Sequence, residues 1–185
     1  MTEEQRLIVQ ARGGDEAAME ALFHRHVARS VRLAYLICGD WGLAEDAVQD
    51  AFVNAFRALR TFRDDASFAP WFTRIVVNQA KNKNRRTKRF LPLTLAETAE
   101  AGCSTEDEVL DRERDAQVLQ AINSLDEKHR LPVLLKYISG YTEAETAAVL
   151  RLPISTVKSR LHTARGRLKR SLADLKGGLT DEYTR

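Results

Sequence analysis

The carboxy-terminal part of this chain is organised around the stretch from Thr142 to Leu175, TEAETAAVLRLPISTVKSRLHTARGRLKRSLADL. Thr142 followed by Glu145 is the pattern of a capping box and predicts that a short helix begins there. Pro153 interrupts that helix, because proline lacks an N–H group and disfavours helix in the residue before it. Ser155 is a good N-cap for a second, longer helix. A short helix, a tight turn and a longer helix predict a helix-turn-helix.

The two predicted helices differ in the character of their faces. The first has a small apolar face formed by Ala144, Ala147, Ala148 and Leu150. The second carries apolar residues three or four apart, which predict one buried stripe: Val157, Leu161, Ala164, Leu168, Leu172 and Leu175. Its other faces are basic, and no Asp or Glu occurs from Ile154 to Ala173. Such a helix suits the DNA major groove, although a basic amphipathic helix is also found as a solvated face or a surface for a partner or membrane.

The composition is that of an ordinary folded protein. Of the 185 residues, 44% are hydrophobic and 30% are charged, and no apolar run approaches the ~20 residues of a membrane span. Cys38 and Cys103 form no CxxC pair, so we expect a reducing, cytoplasmic location without a disulfide framework. The cysteines and histidines lack metal-ligand spacing, and we therefore predict neither a metal site nor a cofactor.

Charge is unevenly distributed along the chain, although the net charge is only +3. Residues 1–90 carry a net charge of +4 and residues 113–176 one of +5, whereas residues 91–112 between them carry −5. Two basic blocks separated by a polar, acidic segment predict two nucleic-acid-binding domains joined by a flexible linker. The predicted organisation is a domain over 1–90, a linker over 91–112, a domain over 113–176 and a tail over 177–185.

Periodicity predicts an all-α fold, because nearly every periodic segment has helical spacing and none alternates like a strand. We therefore expect two small helical domains joined by a flexible acidic linker, the second containing the helix-turn-helix. Gly13-Gly14 ends the first helix and Asp15 can cap the second, whereas Gly39–Gly42 and Thr61–Pro70 are predicted loops. The predicted helices cover 3–12, 15–38, 43–59 and 71–89, then a helix from 113 that breaks at 124–126, and one from 126 or 132 to 138.

The third and fourth helices carry polar features beyond what core packing requires. Glu45, Asp46, Gln49, Asp50 and Asn54 form a polar face on the third helix, which is either a docking surface or merely solvated. The fourth helix ends in KNKNRRTKR, residues 81–89, where six of nine residues are basic and could neutralise phosphates. Aromatic residues just before this run could stack on unpaired bases or fill the core. Among them, we expect Phe72 to lie in the core and Trp71 to be partly exposed.

Three blocks of the chain together resemble bacterial sigma factors of the extracytoplasmic-function (ECF) type. They are AEDAVQDAFVNAFRAL (Ala44–Leu59), TFRDDASFAPWFTRIVVNQAKNKNRR (Thr61–Arg86) and SLDEKHRLPVLLKYISGYTEAETAAVLRLPISTVKSRLHTARGRLKR (Ser124–Arg170). Their order, their spacing and the acidic segment between them match the family over nearly the whole chain. The resemblance implies a subunit that directs core RNA polymerase to promoters and opens the DNA there.

The resemblance also implies roles for particular residues. The polar face of the third helix would dock on the clamp helices of the polymerase β′ subunit: Asp46, Gln49, Asp50 and Asn54. The loop and the fourth helix would recognise the melted −10 element: Arg63, Phe68, Trp71, Asn78, Lys81, Asn82, Arg85 and Arg86. The last helix would read the duplex −35 element: Ser155, Thr156, Lys158, Ser159, His162 and Arg165.

The partners implied by the resemblance are core RNA polymerase, through the β′ clamp helices and the β flap, promoter DNA and an anti-sigma factor. No small-molecule substrate is implied.

The chain departs from the family in the helix-turn-helix. Lys158 stands where many members carry arginine. Lysine is a point charge and lacks the bidentate hydrogen bonding with which arginine binds guanine. Arg151 stands where a small residue is common in the turn.

Two other classes of function are compatible with a helix-turn-helix. A stand-alone transcriptional regulator would need neither the polar face of the third helix nor the basic, aromatic fourth helix. An enzyme acting on nucleic acid would need catalytic groups, and the sequence contains no nucleophile–base pair, phosphate-binding glycine loop or paired-carboxylate signature. We therefore predict a sigma factor that is not itself an enzyme.

Overall fold

The computed structural model describes residues 2–63, 67–90 and 117–181, with side chains to residue 86 in the second range and to residue 173 in the third. All regular structure in these ranges is helical, which confirms the all-α prediction. The chain divides into two compact units, with residues 2–63 and 67–90 in the first and residues 117–147 and 152–181 in the second. The predicted linker over 91–112 lies outside the described residues, as do 113–116 and 182–185.

Four α-helices build the first unit, and side-chain caps define where three of them begin. They are α1 (Glu3–Arg12), α2 (Glu16–Cys38), α3 (Trp41–Ala58), followed by the 3-10 turn Leu59–Thr61, and α4 (Phe68–Phe90). Thr2 and Gln5 form a capping box at α1, and the Asp15 carboxylate accepts a hydrogen bond from the Ala18 N–H at 3.1 Å to cap α2. The predicted bounds of α1 and α2 agree with these helices to within one residue.

The third helix begins two residues earlier than predicted. Gly39 ends α2 in the left-handed conformation, with φ of 75°. Asp40 then caps α3 by accepting a hydrogen bond from the Leu43 N–H at 2.7 Å. Trp41, which was predicted to lie in a loop, is therefore helical and stacks on Tyr35 with 4.1 Å between ring centroids. The predicted loop is reduced to Gly39 and Asp40.

Helices α2, α3 and α4 enclose the core of the first unit. Its largest fully buried side chains are Leu22, Val48, Leu59, Phe68, Phe72 and Val76. On α3 the buried face is rich in alanine, namely Ala44, Ala47, Ala51 and Ala55. Small side chains let neighbouring helices approach closely, and the Phe52 and Phe72 rings meet across this contact with centroids 4.4 Å apart. The polar residues of α3 are consequently left on its outer side.

The second unit begins, within the described residues, with a helix over 117–123, called α5. Its end at Ser124-Leu125-Asp126 is as predicted. Helix α6 (Glu127–Val133) continues directly into a π-helical turn, Leu134–Ile138. The Ser139 N–H closes that turn by donating to the Leu134 carbonyl at 2.8 Å. Gly140, with φ of 67°, then redirects the chain.

The helix-turn-helix consists of α7 (Glu143–Leu150) and α8 (Ile154–Asp181). The predicted capping box is present, because Thr142 N–H donates to Glu145 Oε2 at 2.8 Å and Glu145 N–H donates to Thr142 Oγ1 at 3.2 Å. The predicted apolar face of α7 is wrong in part: Ala147 is buried, but Ala144 and Ala148 are exposed. Thr146 and Val149 are buried instead. Alanine is small and only weakly apolar, so the eight residues of this helix offered too little contrast for spacing alone to identify its buried face.

The start of α8 also differs from the prediction. Arg151 adopts the left-handed conformation, with φ of 53°, and ends α7. The helix then begins at Ile154, where the Val157 N–H donates to the Pro153 carbonyl at 3.1 Å. Ser155 therefore lies within the first turn and is not the N-cap. Val157, Leu161 and Ala164 are buried and Leu168 and Leu172 partly so, as the stripe predicted.

Candidate functional site

The outer side of α3 presents one continuous polar face. Asp46, Gln49, Asp50 and Asn54 follow at steps of 3, 1 and 4 residues, which places them on one side of the helix, and all four are exposed. The opposite side of the same helix is buried in the core, so these four side chains lie on its solvent-exposed side. The geometry leaves them available to a partner.

A lysine of α4 approaches this face. Lys83 Nζ lies 2.9 Å from Asp50 Oδ2 and 3.6 Å from Asp46 Oδ2. The hydrogen bond to Asp50 raises the pKa of Lys83 above its ordinary value. Two of the four predicted docking residues therefore already hold a cation from the helix that was predicted to bind DNA. Lys83 was not among the predicted site residues, because only the packing of α3 against α4 brings these groups together.

The predicted −10 residues of α4 fall mainly on one exposed side of the helix. Trp71, Asn78, Asn82 and Arg85 follow at steps of 7, 4 and 3 residues, which places them on one face. Asn78, Asn82, Arg85 and Arg86 are exposed, Trp71 and Lys81 are partly exposed, and Arg63 is exposed in the preceding loop. The structure thus brings polar, basic and aromatic groups onto a common surface.

Phe68 does not belong to that surface. Its side chain is only 2% exposed. Its ring stacks on Phe72 at 5.8 Å between centroids and meets Phe62 edge-on at 5.8 Å. Trp71 packs against the outside of this cluster, 4.9 Å from Phe62 and 5.5 Å from Phe68. The prediction that Phe68 contacts DNA is therefore wrong for this conformation, since a fully buried ring cannot stack on a base.

A histidine of α2, His26, packs against the buried aromatic rings of α4. His26 packs against Phe68 and Phe72, with ring centroids 5.2 Å and 5.9 Å away. Its Nε2 lies 3.0 Å from Glu4 Oε1, which links α2 to α1. Burial lowers the pKa of His26 below 6.5, and the Glu4 carboxylate opposes that shift. No local pattern around His26 indicates this environment, because only the packing of helices brings its ring against Phe68, Phe72 and Glu4.

The exposed side of α8 carries the predicted −35 residues. Ser155, Lys158, Ser159, His162 and Arg165 are exposed, and Thr156 is partly buried. They lie opposite the buried stripe, so the amino-terminal half of α8 turns them outward. The side chains that line a groove beside its first turns include two cations that were not predicted, Lys128 and Arg160, together with His129, Ser155, Thr156 and Ser159. Arg167 fixes α8 to the start of α6 through Asp126, 3.4 Å away.

Within the described ranges no helix combines the length and apolarity that a membrane crossing requires. The same residues contain no group of three or more Asp, Glu, His or Cys side chains placed to hold a metal ion.

Comparison with known proteins identifies the family. Residues 22–90 match the model of sigma-70 region 2, and residues 115–168 match that of sigma-70 region 4. The ECF RNA polymerase sigma-E factor of Escherichia coli K12 is 33% identical over 175 residues, covering 88% of this chain and 90% of that protein. The chain belongs to the ECF family of RNA polymerase sigma factors. SigM, an ECF sigma factor of Mycobacterium tuberculosis, is 36% identical over 166 residues, covering 90% of this chain and 83% of its own length.

Two solved structures share the fold of this chain. CnrH, in its complex with the cytosolic domain of CnrY, has a TM-score of 0.73 and 28% identity, with 92% of this chain and 97% of CnrH covered. The sigma factor RpoE of Bartonella quintana, solved with the anti-sigma factor NepR, shares the fold at a TM-score of 0.64 and 22% identity. The ECF sigma factor described here thus has the two-domain helical architecture of its relatives.

Proposed function

We propose that this sigma factor docks on core RNA polymerase through the polar face of α3, holds melted −10 DNA on α4 and reads duplex −35 DNA with α8. In this proposal the working regions are residues 1–90 and 113–176, joined by a linker over 91–112 and followed by a tail over 177–185. The observation that carries the proposal is that three separate surfaces, one acidic and two basic, are exposed on helices whose opposite sides are buried.

The polymerase-docking surface would be formed by Asp46, Gln49, Asp50 and Asn54. Its acidic character suits the β′ clamp helices if these present basic groups, because complementary charge speeds and orients association. Carboxylates held on a rigid helix lose little conformational entropy on docking, which favours such a contact over one made by a loop.

The −10 surface would combine base stacking with phosphate contacts. Trp71 offers a partly exposed ring to an unstacked base, and base–aromatic stacking contributes about 1–3 kcal/mol. Asn78 and Asn82 can hydrogen-bond base edges, whereas Arg63, Lys81, Arg85 and Arg86 can neutralise the backbone. Separating the strands costs a few kcal/mol per extruded base, and this surface would recover that cost.

The −35 surface would lie in the major groove. Lys158 and Arg165 can reach bases or phosphates, while Ser155, Thr156, Ser159 and His162 supply shorter donors and acceptors. The β flap would hold this unit beside the duplex.

An anti-sigma factor would regulate the protein in the cytoplasm, as the resemblance implies. The proposal includes neither an enzymatic site nor a small-molecule substrate, because the polymerase supplies the chemistry.

The test is run-off transcription by core polymerase on a library of random promoter sequences, with and without the purified protein. We expect start sites that appear only with the protein and share two sequence elements. Asp50→Lys should abolish them by reversing a docking charge, whereas Arg165→Ala should weaken them mainly through the upstream element. A protein that binds duplex DNA but yields no selective transcripts with core polymerase would instead be a stand-alone regulator.

A further inference from the structure

A carboxylate lies beside the basic recognition surface of α8. Glu143, the first residue of α7, has one oxygen 2.6 Å from Lys136 Nζ and the other 3.9 Å from Lys158 Nζ. Lys158 is 65% exposed, whereas Glu143 and Lys136 are each about one-third exposed, at 32% and 28%. An acidic group therefore reaches the edge of a surface that is otherwise basic.

The two lysines are held differently. Lys136 makes a short hydrogen-bonded ion pair that largely satisfies its charge. Lys158 is only at the limit of ion-pair distance, so its ammonium group remains able to contact DNA. The hydrogen bond from Lys136 lowers the pKa of Glu143, aided by the charges of Lys136, Lys158 and Arg165 and opposed by burial. Glu143 thus stays ionised wherever DNA binding is measured near neutral pH.

The Glu143 carboxylate should affect the contacts of Lys158 with DNA phosphates differently from its contacts with base edges. A lysine is a compact point charge that binds any phosphate, and it lacks the planar fork with which arginine selects guanine. A phosphate bound to Lys158 would lie within several ångströms of the Glu143 carboxylate and would be repelled by it. The neutral acceptors O6 and N7 of guanine experience no comparable repulsion.

We propose that Glu143 is a specificity-determining residue for the duplex element, since it disfavours phosphate contacts by Lys158 and spares its base contacts. The inference rests on the proposed function of α8. Glu143 lowers the affinity for DNA of arbitrary sequence more than the affinity for the preferred sequence. It compensates for a lysine at a position where a lysine alone would discriminate poorly.

The experiment uses the full chain assembled with core polymerase and a duplex selected by the wild-type protein from a random pool, together with a scrambled duplex. For Glu143→Gln we expect about three- to tenfold tighter binding to the scrambled duplex and a salt slope steeper by about 1. The ratio of the two affinities should fall at least about threefold. Glu20→Gln, which changes the net charge equally on an exposed site of α2, should leave that ratio unchanged.

A double-mutant comparison makes the role of Lys158 explicit. In a Lys158→Ala background, Glu143→Gln should no longer alter the affinity ratio, because the repelled contact has been removed. An unchanged ratio in the single variant, or the same change in both backgrounds, would overturn the proposal. If the wild-type assembly selects no duplex sequence and Lys158→Ala leaves the salt slope unchanged, the assignment of α8 to the groove fails first and this inference fails with it. Thermal unfolding of each variant verifies that the fold is intact.

Discussion

Lys83 is the residue at which the docking face and the DNA-binding helix meet. It competes with any basic partner for Asp46 and Asp50. Because both carboxylates are more than half exposed, we expect Lys83→Met to change the free energy of unfolding by less than about 1 kcal/mol. The same substitution should raise the affinity for core polymerase up to about fivefold, since the partner no longer displaces an internal cation.

This effect is measured by competition of labelled protein for core polymerase at low and moderate salt. Lys169→Met, an exposed lysine of α8 with the same loss of charge, serves as the control and should leave core binding unchanged. Weaker core binding by Lys83→Met would mean that the lysine orients the carboxylates for docking and does not compete for them.

His26 should make the first unit less stable in mild acid. Burial lowers its pKa in the folded state, with Arg25 and Arg29 contributing in the same direction and Glu4 opposing them. Below about pH 6.5 the unfolded chain therefore binds more protons at this site than the folded chain, so the free energy of unfolding falls as the pH falls. Urea unfolding at pH 7.5 and 5.5 should show a smaller pH dependence for His26→Gln than for the wild type. Equal dependence in both proteins would assign the acid sensitivity to other groups.

At the start of helix α4, Phe68 is buried in the core, whereas Trp71 is partly exposed. Phe68→Ala should lower the free energy of unfolding by about 3–5 kcal/mol, because the ring is fully buried. Trp71→Ala should cost less stability and should instead weaken binding of single-stranded −10 DNA by about 1–3 kcal/mol. Urea unfolding and fluorescence anisotropy with the assembled polymerase measure the two effects. Phe68→Leu is the discriminating control, since a folded variant that lost DNA binding would restore Phe68 as a contact.

Local signals predicted the helices well, and contacts between helices decided what those signals left open. Asp15 and the glycines at 13 and 14 gave the bounds of α1 and α2 almost directly, because caps and left-handed residues act within a few positions. The apolar stripe on α8 was predicted equally well, because its spacing repeats over five turns. The buried face of α7 was not, because eight residues rich in alanine carry little contrast between their sides.

In the candidate site, too, local spacing predicted some features, whereas the packing of helices determined others. Exposure of the polar residues on α3 and α8 followed from helical spacing. The ion pairs of Lys83 with Asp50 and of Glu143 with Lys158 join residues 33 and 15 positions apart, and only the packing of helices creates them. Phe68 was assigned to DNA by its place in a motif, whereas the cluster that buries it includes His26 from another helix.

The length of the acidic segment between the two basic blocks should determine how strongly the two proposed DNA contacts reinforce each other. A tether turns the second contact into an intramolecular event, whose effective concentration falls slowly as the tether lengthens. The predicted linker over 91–112 has 22 residues. Inserting a further 22 Gly and Ser residues after Gly102 doubles that length, and the loop-closure cost rises by about 0.6 kcal/mol.

We therefore expect the lengthened protein to form open complexes about threefold less well on a promoter that carries both elements. On a promoter whose upstream element has been replaced, the two proteins should perform alike, because only one contact remains and the tether no longer matters. Open complexes are counted by permanganate footprinting of unpaired thymines at limiting protein concentration. Equal losses on both promoters would show that the segment acts through the polymerase itself, and no loss on either would show that the two units bind DNA independently.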